Sequence, residues 1–223
     1  MRVMMILMVL LVASCGRPLT EAEKDFAARL HGATLDTSRV RLAKTGPVKT
    51  YEVTRAVRPR VTCGERIFPP PKTKAVTGAY SAVALFHRVY INPDYYLEDY
   101  APDYPNRLYL YQAMFLAHEL THVWQWQNRK VTGYHPIKAA REHQVSDDPY
   151  LFDPDVERDF LEFGYEQQGK IVEEYVCCAV LDPDAPRAKR LERMVGKYLA
   201  LDRLPVREVV IGWKDVQVKG ICR

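Results

Sequence analysis

The sequence has no internal repeat and no cluster of lysine and arginine interleaved with stacking aromatics. Beyond Ala13 it has no apolar run long enough to cross a bilayer. These absences weigh against a solenoid, a nucleic-acid partner and a protein with several membrane spans. Charge of one sign is also scarce: the formal net charge is only +4, too weak a bias to name a partner. What is present is the composition of a chain that buries a core, 48% hydrophobic and 27% charged, with length for one domain of ordinary size.

The one long apolar run, residues 3–13, follows Arg2 and ends at Val12-Ala13-Ser14-Cys15. A positive start, a short apolar stretch and small residues before a cysteine make a lipobox-like signal. This predicts a signal peptide over residues 1–14, lipidation at Cys15, and a tether with an N-terminal helix over 15–45. The main domain would be 46–223. The expected location is the bacterial cell envelope, with the lipid in a membrane. Gly16 carries no aspartate-type retention signal, which favours the outer membrane, facing the periplasm.

Four further cysteines, Cys63, Cys177, Cys178 and Cys222, form an even set in an oxidising compartment. Adjacent cysteines bridge each other poorly, so Cys177 and Cys178 would pair with Cys63 and Cys222. The alternative is that they are small buried apolar side chains.

The patterning alternates helix and strand. Thr20 caps a helix that begins with Glu21 and Glu23 and carries Phe26 and Leu30, within residues 18–42. Strands are expected at 48–61 and 82–91, separated by Pro69-Pro70-Pro71. Residues 108–126, free of glycine and proline, predict the longest helix, with Asn106 as its cap. Helices are also expected at 137–143, 160–181 and 188–201, and a terminal strand pair or tail at 206–218.

The long helix contains His118-Glu119-Leu120-Thr121-His122. Positions i and i+4 share a helical face, so both imidazoles can reach one ion while Glu119 stands beside it. Zinc so held lowers the pKa of its bound water to about 7, and the carboxylate can take the proton as water attacks a carbonyl. The metzincin pattern needs a glycine and a third histidine where this chain has Gln125 and Asn128, so that branch is excluded. A third ligand from a later helix leaves Glu166, Glu173 and Glu174 as candidates.

The blocks AHELTHVWQWQ (117–127) and YEQQGKIVEEY (165–175) resemble bacterial zincin-like domains of the Vgr-related and Rhs-neighbour type, minimal gluzincins. The resemblance covers roughly residues 80–180. It implies an α+β fold in which a long helix and a downstream glutamate helix pack on a small sheet. It further implies zinc on His118, His122 and Glu166, with Glu119 as general base. Lys170 stands where many gluzincins place an acid that orients the first histidine. Glu173 or Glu174 would then orient it, or Glu174 is itself the ligand.

Weaker candidates are His135 and His143 as substrate contacts, and Trp124, Trp126 and the tyrosines of 90–111 as cleft lining or packing. No residue stands out as an oxyanion stabiliser. The expected function is a lipid-anchored zinc metallopeptidase acting on envelope proteins or peptides, with no nucleic-acid partner. The rival is a non-catalytic zinc-binding module for protein interaction, with a secretion-system component as a possible partner.

Overall fold

The computed structural model describes residues 16–44 and 52–223. The signal segment, the lipidation site Cys15 and the start of the strand expected at 48–61 lie outside the described residues.

Helix α1, Glu21–His31, is fixed at its start by a reciprocal cap. The Thr20 hydroxyl accepts from the Glu23 N–H at 3.1 Å and the Glu23 carboxylate accepts from the Thr20 N–H at 2.9 Å. It stops eleven residues short of the expected limit. Gly32 adopts φ 49°, and a Cβ there would stand 2.7 Å from that of Ala200. Two 3-10 turns then lead into strand β1, Arg41–Lys44.

Strand β2, Glu52–Ala56, is followed by a short helix, α2, Cys63–Ile67, capped by Thr62. Strand β3, Ala75–Ala79, was not expected after the proline run and pairs antiparallel with β2. The expected strand at 82–91 is two, β4, Ala82–Leu85, and β5, Arg88–Ile91, joined by a tight turn with Phe86 at φ 58°. Phe86 holds this left-handed position while its ring packs 4.6 Å from that of Trp126.

Residues Arg107–Tyr109 form strand β6, so helix α3 begins only at Leu110 and runs to Gln127, without the Asn106 cap. Helices α4, Arg129–Thr132, and α5, Pro136–Val145, follow. The helix expected at 160–181 is broken at Gly164: a 3-10 turn at Phe160–Glu162 precedes α6, Tyr165–Leu181. Helix α7, Pro186–Val195, ends at Gly196, and the tail supplies one strand, β7, Glu208–Val210, parallel to β6.

The architecture is α+β. The main sheet has the order β1-β5-β4, with β1 parallel and β4 antiparallel to β5. Helix α3 lies between this sheet and α6, its most extensive helical neighbour. One core joins Phe26 and Leu30 of α1, Leu42 of β1, Val89 and Ile91 of β5, Leu116 and Leu120 of α3, and Ile171 and Val176 of α6. The segment read from sequence as tether and helix therefore shares the core of the rest. No helix among the described residues is long and apolar enough to cross a membrane.

Candidate metal centre

Helix α3 brings His118 and His122 one turn apart on the side facing α6, and the first turn of α6 brings Glu166 between them. His118 Nε2 lies 3.0 Å from His122 Nε2, and Glu166 Oε2 lies 3.2 and 3.1 Å from these two nitrogens. Three ligand atoms on a tetrahedral ion at about 2.0–2.2 Å would stand roughly 3.3 Å apart, so the triangle has the dimensions of a three-ligand site.

The far side of each ring sets its tautomer. The Gln125 amide donates to Tyr165 O and Gln168 Oε1, which turns its oxygen toward His122 Nδ1 at 2.9 Å. His122 thus carries its proton on Nδ1 and aims the Nε2 lone pair into the centre. His118 Nδ1 lies 2.7 Å from Glu173 Oε1, close enough for the carboxylate to favour a proton on that nitrogen, though the two are not aligned as a hydrogen bond. Gly169 lets the His118 ring approach α6: a Cβ there would meet Cε1, Nδ1 and Nε2 at 2.7, 2.8 and 2.9 Å. These residues fit a metal ion.

The electrostatics favour positive charge in the centre. Burial disfavours a charged His118, but Glu166 and Glu173 outweigh it and raise the imidazole to about 10. Burial likewise opposes ionised Glu166, yet His122, with further contacts from His118 and His143, holds it well below the usual carboxylate range. Glu119 is 5% exposed, and its Oε2 has no hydrogen-bond partner among the described residues. Burial pushes its carboxyl up, against the pull of His118 and His122.

The three acidic candidates separate. Glu166 sits in the triangle. Glu173 stands behind His118, and its other oxygen pairs with Lys170. Glu174 faces away, accepting from the N–H groups of Cys63 and Gly64 and pairing with Arg187 at 3.2 Å. It holds the N-terminus of α2 and takes no part in the triangle.

His143 is brought to the site, its Nε2 lying 2.9 Å from Glu166 Oε1, whereas His135 caps α5. The ring of Tyr150 lies 5.9 Å from that of His118 and 5.7 Å from that of His143; Tyr80 meets His143 edge-on at 5.4 Å. The Arg58 guanidinium grips Asp148 at 2.5 and 2.6 Å and lies 5.3 Å over the Tyr150 ring, fixing this cover. Tyr80 and Tyr150 carried no signal in the sequence, because isolated tyrosines in loops look alike until the chain folds. Trp124 and Tyr100 belong to the core and Trp126 packs on Phe86, so they line no cleft.

The cysteines pair as Cys63–Cys177 and Cys178–Cys222.

No family model matches this chain, and no curated protein does. Among solved structures, the effector domain of Pseudomonas aeruginosa VgrG2b is similar, with a TM-score of 0.50 and 20% identity, over 84% of this chain and 86% of that one. At that identity the likeness is one of fold.

Proposed function

We propose that the protein is a zinc-dependent hydrolase of the gluzincin type that cleaves peptide bonds in envelope proteins or peptides, anchored through lipid at Cys15. The observation that carries it is the convergence of His118, His122 and Glu166, with His122 turned lone-pair-inward by Gln125 and the Glu173 carboxylate beside the far nitrogen of His118.

Zinc held there would supply Lewis acidity, making water acidic near neutral pH and polarising a carbonyl. Glu119 accepts the proton released by the attacking water and returns it to the departing amine. His143 fixes the free oxygen of Glu166, and Tyr150 excludes solvent above His118. Among the described residues β4 pairs only with β5, and such an edge position in a sheet suits the addition of an extended peptide. Tyr80, two residues before β4, ties that edge to the centre through His143. Two disulfides suit the oxidising envelope.

A second reading is favoured by the fold's likeness to an effector domain: a zinc-binding module without turnover, serving protein interaction or a secretion system. Elemental analysis and a peptide-hydrolysis assay on wild type, Glu166→Ala and Glu119→Gln decide between them. The expected result is one zinc per chain in wild type and Glu119→Gln but not in Glu166→Ala, with hydrolysis only in wild type. Zinc with no hydrolysis of any peptide would favour the module, and a protein that takes no zinc when supplied would overturn both.

A further inference from the structure

The backbone is fixed almost as soon as it leaves Cys15. Arg17 forms a β-bridge with Leu42, both N–H···O distances being 2.9 Å. Its guanidinium grips both oxygens of Glu23 at 2.7 Å, and Glu23 is fully buried and also accepts from the Tyr100 N–H at 2.9 Å. Two residues of extended chain span at most about 7 Å, so an acyl chain on Cys15 would hold the bilayer surface close to Arg17.

That neighbourhood has the chemistry of a lipid interface. The Arg17 guanidinium also donates to Leu97 O at 3.0 Å and lies 5.9 Å from the Tyr96 ring centre, while the Lys44 amine lies 5.8 Å from it. Tyr95 and Leu97 are 36% and 39% exposed on either side. Aromatic rings with a polar tip, an aliphatic side chain and the Lys44 amine suit the headgroup level, while the Arg17 guanidinium beneath them is taken up by Glu23. Asp94 and Glu98 are also exposed on this loop, so contact would rest on insertion more than on attraction to anionic lipid.

We propose that the face formed by Lys44, Tyr95, Tyr96 and Leu97, above the anchored Arg17, rests on the bilayer, so that the lipid is a rigid mount and not a flexible tether. This rests on the reading that Cys15 is acylated. A domain of this size is about 40 Å across, so the metal centre would work only on substrates within roughly that distance of the membrane.

The test uses the full chain in phosphatidylethanolamine–phosphatidylglycerol vesicles with brominated acyl chains. Leu97→Trp is compared with wild type and with Ile137→Trp, which marks the most exposed aliphatic, on α5. Mass spectrometry of the N-terminal peptide reads acylation independently. The expected result is acylated Cys15, at least twofold quenching of the added fluorescence in Leu97→Trp, and none in Ile137→Trp. Acylated protein with no quenching at Leu97→Trp, or with quenching at Ile137→Trp instead, overturns the mount and leaves the anchor standing. An unmodified Cys15 overturns both.

Discussion

Gly169 occupies the interior of α6, where glycine is about 1 kcal/mol less favourable than alanine. Its value lies across the helix interface, where the His118 ring fills the space a Cβ would take. Gly169→Ala should therefore raise intrinsic helicity yet push the imidazole out of line. Zinc affinity is expected to fall about 10–100-fold, the scale seen when the support of a metal ligand is lost. Competition with a chromogenic chelator measures it, and unchanged affinity would show that the ring is not seated against α6. His31 makes a different residue-scale prediction. It is fully buried, and desolvation, opposed weakly by the Ala27 carbonyl, lowers its imidazole from 6.5 to about 4. The unfolded chain thus binds a proton between these values that the folded chain refuses. The full contribution is present above pH 6.5 and is lost as pH falls toward 4, by about 3 kcal/mol. Urea unfolding of wild type and His31→Leu across that range should show the variant losing less stability. The two histidines were legible in the sequence because their spacing is local, whereas Glu166 stood beside Glu173 and Glu174 as one of three candidates and was put first only through a resemblance. Glu173 and Glu174 could not be told apart, since neighbours on a helix point in different directions and only packing decides which meets His118.

Helices α5 and α6 act as a pair at the level of elements. Gly164 has no side chain with which to cap α6, and Glu142 of α5 does so instead, accepting from the N–H groups of Tyr165 at 2.8 Å and Glu166 at 3.2 Å. A carboxylate at a helix N-terminus also meets the favourable end of the macrodipole. The next residue of α5, His143, holds the Glu166 carboxylate itself. Glu142→Ala should lower unfolding free energy by about 1 kcal/mol. Glu142→Gln, which keeps an acceptor oxygen, should recover part of it. Chemical denaturation checks both, and equal losses would mean that only charge matters at this helix end. The long helices could be read from residues 108–126 and 160–181 because stretches without proline hold few alternatives. The β4–β5 turn could not. Phe86 and His87 carry no turn signal, and the left-handed Phe86 is explained by Trp126, which lies 40 residues away in sequence. The same holds for β6, whose strand character comes from pairing with β7 at the far end of the chain.

For the molecule as a whole, two adjacent cysteines on α6 fasten it in two directions, Cys177 to the start of α2 and Cys178 to the C-terminal tail. The sequence separation of Cys178 and Cys222 is 44, and closing a loop of that size removes unfolded-chain entropy worth roughly 4 kcal/mol. The pairing was legible as a preference in the sequence, but which of the neighbours takes which partner depends on the facing of α6. That helix separates stability from chemistry. Cys178 lies twelve positions beyond Glu166, about 18 Å along the axis at 1.5 Å per residue. His118, His122 and Glu166, the candidate metal ligands, sit at the other end, beside Gln125, Glu142 and Glu173. A Cys178→Ser, Cys222→Ser double variant should therefore lose about 4 kcal/mol of unfolding free energy while its zinc affinity changes less than tenfold. Denaturation and chelator competition on the same preparation read the two quantities. A large loss of affinity with little loss of stability would mean that the tail bears on the metal centre directly, and that α6 does not insulate one end from the other.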